Sequence, residues 1–550
     1  MLNPNWLKHA ILLFLAYSVT GVLSLQMAIA PGYVAPLFPP AGIALAGVLL
    51  YGLRMLPAIW LGSLAVNIVA LWQAGLPAPG TVAPFFVAGG AVLQAVAGAA
   101  LARRWTGYPI VLDRARPIMA FLFLAGPISC LINASVGVGV LALTGALPME
   151  EAAFSWWNWW AGDSLGVLIC VPLIFVMLGR PKDAWAPRRR VVAPPMCFAL
   201  LMMALVIFQV GSWEKQRLDD EFQRDANTLM ERIFTRAKDH LDALQALERM
   251  ATVQRGADSQ SFRVFSEPWF ARYQGLRTMG WAPSVTEAER PAFMQRTRAE
   301  LGEDFAMFER DADGHALAVQ PAPRYYPIVY AEPDALNRAV IGLNPLSFAP
   351  ARVAIEQAEQ TGLPVATSPI RLQQEPGDQR GVVIYQPVFD TEAGRNPPKR
   401  LGMAYVALRL GDTVDAALDR RLSPNLRLCM SDLDPIRGPL RLYGPAGCER
   451  DLSAADGLNL ADNFSFASRS WDVRVSALPG YASAQRGWVV WIALVTNLLA
   501  VGMLGAFLLL TSAHTLQIEG LVSRRTTQLA ATSERLREQP LDRVRGAARD

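Results

Sequence analysis

Charge is scarce in this chain. Only 18% of its 550 residues are Asp, Glu, Lys or Arg, against about 25% in an average soluble protein. The deficit is local: charges are sparse over residues 11–177, whereas 214–474 has ordinary globular composition. That contrast excludes a string of soluble domains and leaves a membrane block joined to a soluble block. Histidine and cysteine are also few. Four His and five Cys, scattered over the whole length, offer no zinc-like spacing, and no metal or cofactor is expected. A net charge of +4 is too small for a nucleic-acid partner.

Catalytic signatures are missing as well. There is no nucleotide-binding glycine loop and no set of nucleophile, base and orienting group. Gly162-Asp163-Ser164-Leu165-Gly166 fits the G-x-S-x-G pattern. That motif needs a preceding strand and a downstream His within reach. Here it sits in a Trp-rich apolar run, and the next histidine, His240, lies in a segment of another compartment. A hydrolase is rejected.

What is present is apolar length. Eight stretches approach the ~20 residues a crossing helix needs: 9–30, 34–52, 55–73, 82–102, 118–143, 157–178, 192–211 and 488–511. Gly126-Pro127 predicts a kink or a division in the fifth. Lys8, Arg54, Arg103, Arg104, Arg114, Arg116 and the basic link 180–190 all fall on one side if eight spans alternate. The positive-inside rule then places both termini in the cytoplasm and residues 212–486 outside. Membrane lipid is one expected partner.

Within the membrane block Asp163 is the functional candidate, because a charge inside a span is costly. The competing reading puts it near the external interface, where it reaches water. In the external block Cys429 and Cys448 have about 18 residues between them. An oxidising compartment permits a bridge, and two free thiols remain the alternative. Residues 214–253 contain neither Pro nor Gly. Phe222, Ala226, Leu229, Ile233, Ala237, Leu241, Leu244 and Leu247 recur at helical spacing. This stripe predicts either a coiled-coil stalk or a helix packed along a globular domain. Strand-like runs follow at 277–283, 325–330, 381–389, 401–408, 426–429 and 471–475, with a helix at 349–359. The pattern is α+β.

Two resemblances become specific at this point. Phe38-Pro39-Pro40-Ala41-Gly42, Leu61-Gly62-Ser63 through Asn67, and Trp159-Trp160-Ala161-Gly162-Asp163-Ser164-Leu165-Gly166 with Pro172 resemble the class-one MASE membrane sensor domain. Tyr326-Pro327-Ile328-Val329-Tyr330, Ile341-Gly342-Leu343-Asn344-Pro345-Leu346-Ser347, and Ala366-Thr367-Ser368-Pro369-Ile370-Arg371-Leu372 resemble the CHASE sensor domain. Its pattern closes at residues 381–389. The CHASE resemblance implies two PAS-like halves beside a long stalk helix, with a small organic ligand in the membrane-distal half. It implies a pocket around Asn344 lined by Tyr330, Ala366, Thr367, Leu372 and Tyr385. Cytokinin-type members carry an Asp where Asn344 stands; an amide both donates and accepts, which argues against cytokinin itself. The alternative is that Asn344 is a turn residue before Pro345.

The expected organisation is a seven-span sensor at 1–211, a stalk helix at 212–255, the ligand-binding domain at 256–486, a last span at 487–512 and a cytoplasmic helix at 513–550. A homodimer through the stalk and the cytoplasmic helix is expected. The chain shows no Gly-Gly-Asp-Glu-Phe cyclase loop and no phosphoacceptor His box. The output module, a diguanylate cyclase or histidine kinase, is therefore expected on a missing part or a separate partner. The competing class is a transporter with an appended binding domain. It lacks the internal repeat that transporters usually show.

Overall fold

Proline placement shapes the membrane block. The computed structural model describes residues 4–27, 35–73, 82–254, 258–311, 314–371, 380–390, 398–418, 425–450, 457–478, 480–485 and 489–547. The chain divides into two compact units, Met1–Leu218 with Ala482–Asp550, and Asp219–Tyr481. In the first unit come α1 (Pro4–Leu25), α2 (Pro39–Tyr51), α3 (Leu56–Gln73) and α4 (Ala83–Thr106). They are followed by α5 (Ala115–Ala120), α6 (Ser129–Leu143) and α7 (Met149–Leu178). The long helices Arg189–Val253 and Val489–Ala547 come later in the chain. Among the described residues, seven helices are long and apolar enough to cross a membrane.

The second predicted span is the exception: α2 has only 13 residues, and residues 35–38 before it are not helical. Pro39 and Pro40 occupy the first helical turn, where a missing N–H costs nothing, and they forbid extending the helix backwards. Four non-helical residues at up to about 3.3 Å each, plus 13 at about 1.5 Å, reach up to ~33 Å. That length matches a hydrocarbon core of about 30 Å. An extended segment followed by a short helix is therefore long enough to cross. Its unwound part is covered by protein, as it must be where no water can bond the backbone. The Phe38 N–H donates to the Gly162 carbonyl at 3.1 Å.

Pro127 acts as expected, but by widening rather than breaking. Phe121–Ile128 is π-helical and joins α5 to α6. The proline ring removes one backbone donor and crowds the preceding turn. Carbonyls around it also accept from side chains: Ser129 Oγ donates to Ala125 O at 2.7 Å, and Trp160 Nε1 to Pro127 O at 2.8 Å. The central helix is α7, buried on nearly all sides from Ala161 to Pro172. A helix that is apolar all round belongs in the core.

In the second unit the predicted stripe packs along the domain. Phe222, Ala226, Leu229, Ile233, Ala237, Leu244 and Leu247 are buried in one core with the strands, and Leu241 lies at its edge. A dimer seam on this helix would use other faces. Two antiparallel sheets form the two halves. The first runs Tyr330–Glu332, Leu276–Pro283, Arg400–Arg409, Arg380–Phe389, Val365–Ala366, with Ile370–Arg371 also on Arg380–Phe389. The second runs Gly438–Tyr443, Leu426–Asp434, Arg469–Ala477, Asn459–Phe466. The helix Ala349–Thr361 ends at Gly362, whose φ of 71° is the left-handed cap that glycine adopts freely. Cys429 and Cys448 lie within bonding distance of each other, their Cα atoms 6.0 Å apart.

Candidate functional site

The first sheet buries different residues on its two faces, and the cavity lies on only one of them. Strand alternation decides which side chains reach it. Val383 and Tyr385 on one strand and Tyr405 and Ala407 on its neighbour point to the cavity side, beneath the helix Ala349–Thr361. The intervening Ile384, Ala404 and Val406 point to the other face, where the long helix packs. On the cavity side a pocket of about 400 Å³ opens, within the range of small-molecule sites.

Two tyrosines form one wall. Tyr385 and Tyr405 are paired across the strands, with ring centroids 5.8 Å apart. Tyr405 lies flat over Gly280, where a Cβ would come within 2.1 Å of its Cζ. The Tyr405 hydroxyl is buried without a hydrogen-bond partner. Burial pushes both phenols above their ordinary pKa, so both stay protonated donors at neutral pH.

The polar lining is mainly basic: Arg310 and Arg371 face one carboxylate, Asp311. Arg310 donates from one terminal nitrogen to the Ala339 carbonyl at 3.0 Å, while its Nε is buried without a partner. Burial pulls its pKa below the usual arginine value without discharging it. Asp311 is held by the His315 backbone N–H at 2.8 Å. Thr278 donates to Asn337 Oδ1 at 2.8 Å, and Thr367 Oγ1 accepts from the Val383 N–H at 3.1 Å. The result is a flat apolar chamber with basic and phenolic donors around it. It suits an acceptor-rich, anionic head on an apolar body.

Of the residues expected at the pocket, Thr367 and Tyr385 line it. Tyr330 and Ala366 belong to the opposite face of the same sheet, one pleat out of phase. Tyr330 packs on Phe262 at 5.4 Å and donates to Glu300; Ala366 pairs with Ile384. Leu372 lies outside the described residues. Asn344 is 2% exposed but does not line the cavity. Its Oδ1 accepts from the Tyr326 N–H at 3.2 Å, and its Nδ2 donates to Glu309 at 3.1 Å. It also precedes a short 3₁₀ turn, Pro345–Ser347. In this arrangement it is a turn residue pinning two segments.

Arg310, Tyr405 and Gly280 were not singled out from the sequence. The alternation Met403–Tyr405–Ala407 matched to Val383–Tyr385 carries the signal for Tyr405; no sequence pattern marks Arg310. In the membrane unit Asp163 is fully buried midway along α7. Among the described residues no three His, Cys, Asp or Glu come together as a metal site.

Hybrid signal transduction histidine kinase A of Dictyostelium discoideum is 26% identical over 219 residues. That match covers 39% of this chain and only 10% of the kinase, so the two share a small part of the relative's length. The periplasmic sensory domain of the Campylobacter jejuni chemoreceptor Tlp1 aligns at 11% identity and a TM-score of 0.31, over 50% of this chain and 97% of that one. An extracellular ligand binding receptor from Desulfohalobium retbaense aligns at 12% and 0.31, over 46% and 39%. Family models match twice, MASE1 over residues 7–213 and the CHASE domain over residues 256–443. The chain is a multi-pass membrane sensor in which a MASE1 domain is followed by a CHASE domain.

Proposed function

We propose that this chain is a bacterial inner-membrane receptor for a small organic anion, bound in the cavity of the first sheet of its CHASE domain. The observation that carries this reading is the cavity itself: about 400 Å³, walled by Tyr385 and Tyr405, with two guanidinium groups against one carboxylate. A carboxylate-bearing ligand would take the unpartnered Arg310 Nε–H and the Tyr405 hydroxyl, and its apolar body would lie against Ile328, Leu343 and Phe348. Binding shifts the receptor only so far as the ligand prefers one of two states. The helix Arg189–Val253, which contributes residues to both units, is the element to carry that bias. The output would be cytoplasmic, of cyclic-di-GMP or histidine-kinase type, and the working unit a homodimer.

A thermal-shift screen on the purified chain tests the ligand class with small carboxylates and their neutral amides. Carboxylates should stabilise, their amides should not, and Arg310→Gln should weaken binding roughly ten- to a hundred-fold, the loss of one charged hydrogen bond. Hits confined to cations, or hits indifferent to Arg310→Gln, would overturn the assignment. Topology has its own test. Reporters fused after Arg190 and after Arg525 should read as cytoplasmic, and one placed within residues 347–354 as periplasmic. A cytoplasmic signal from the last would invert the receptor.

A further inference from the structure

Beside α7 lies a second cavity that the ligand reading above does not use. It offers about 70 Å³, room for a small ion with a few waters. Its polar lining is Tyr17, Ser63, Asn67, Asn133 and Asp163. A smaller void of about 10 Å³ shares Tyr17, Phe38 and Asn133 with it and reaches Gln94. Its walls come from the ends of α1, α3, α4 and α6 away from Lys8, Arg54, Arg103 and Arg104.

The hydrogen-bond inventory is unbalanced here. Asp163 Oδ2 accepts from Asn133 Nδ2 at 3.1 Å, while Oδ1 has no partner. Asn133 Oδ1 and Gln94 Oε1 are also buried without partners, although Gln94 Nε2 lies 3.4 Å from the Cys130 sulfur. Three oxygen acceptors, one of them a carboxylate, thus lack donors in a region where an unpaired polar atom is costly. Neither void is lined by Lys, Arg or His. The broken second crossing adds to the same place: Ala35 and Phe38 line the cavity, and residues 35–38 are held out of a helix. In membrane transporters, small-cation sites recur beside unwound segments whose backbone carbonyls take part.

We propose that Asp163, Asn133 and Gln94, beside the unwound residues 35–38, form a binding site for one small monovalent cation. A single carboxylate balances a single charge, and oxygen-only donors suit alkali ions and ammonium rather than transition metals. The absence of any group of three His, Cys, Asp or Glu among the described residues agrees. Occupation would tie α4, α6 and α7 to the broken crossing.

The test uses the full chain in lipid nanodiscs at pH 8 and constant ionic strength. Choline chloride, too large for the cavity, is replaced stepwise by sodium, potassium or ammonium chloride. At least one of the three should raise the melting temperature along a saturating curve. Asp163→Asn, which keeps shape and loses charge, should abolish that rise. Gln94→Leu should shift its midpoint several-fold, and it serves alone if Asp163→Asn does not fold. No cation outperforming choline, or an unchanged curve in the folded variants, would overturn the site.

Discussion

Gly166→Ala is expected to abolish the folded membrane domain, while Gly139→Ala leaves it intact. A Cβ on Gly166 would stand 2.0 Å from the Phe38 carbonyl oxygen and 2.7 Å from its carbon. These are backbone atoms of the broken crossing and cannot rotate away. The neighbouring contacts are similar: Gly42 would place a Cβ 2.2 Å from Gly166 O, and Gly162 one 2.4 Å from Ala35 O. Overpacking a core costs about 1–3 kcal/mol where side chains can yield. A clash with fixed backbone belongs at or beyond the top of that range. Gly139 has nothing within 4 Å, so a methyl group there meets open space. Size-exclusion profile and melting temperature of the two full-length variants, side by side, check the contrast. If Gly166→Ala gives the same monodisperse, equally stable protein as Gly139→Ala, residues 35–38 do not lie on α7.

The same glycines show why part of this molecule was legible in the sequence. Gly162 and Gly166, four apart, advertise close approach, but not what approaches. Sequence periodicity predicts another helix there, and Pro39-Pro40 instead unwinds the partner, a choice set by tertiary packing. The apolar stripe from Phe222 to Leu247 was fully readable because seven of its eight positions are buried, and its period is local. The strands Gly438–Tyr443 and Asn459–Phe466 were not readable. Both are sheet edges with mostly exposed or half-exposed residues, and Asp462 and Asn463 are weak strand formers. Thr367 and Tyr385 line the cavity, while Tyr330 and Ala366 lie on the other face of the sheet. A one-residue phase error flips a strand residue to the other side, and motif resemblance carries no phase. Arg310 reaches the cavity from the end of a short strand, Phe308–Arg310, that belongs to a separate two-stranded sheet, a contact that no local pattern encodes.

Asn344 shows the same distinction between motif and geometry, and it yields the second large expected effect. Asn344→Leu should lower the stability of the external unit by roughly 1–3 kcal/mol, because it orphans the buried Tyr326 N–H. Glu309 loses a donor too, but it is half-exposed and regains water. Ligand affinity should stay within about twofold, an energy near 0.4 kcal/mol, because the amide faces Tyr326 and Glu309 rather than the cavity. Asn344→Asp sharpens the case. Its carboxylate can still accept from Tyr326, but it now faces Glu309, and two like charges at that range oppose each other. In the variant, the folded state would bind a shared proton more tightly than the unfolded chain does. Stability should therefore rise as pH falls through the carboxylate range, with the wild type lacking that gain. Tyr405→Phe gives the opposite pattern, with folding nearly unchanged and affinity lost, since its hydroxyl has no partner within the protein. Melting curves and ligand titrations on the same preparations separate the two patterns. An Asn344→Leu chain that melts like the wild type but binds ten-fold more weakly would return Asn344 to the pocket and remove Tyr405 as the anchor.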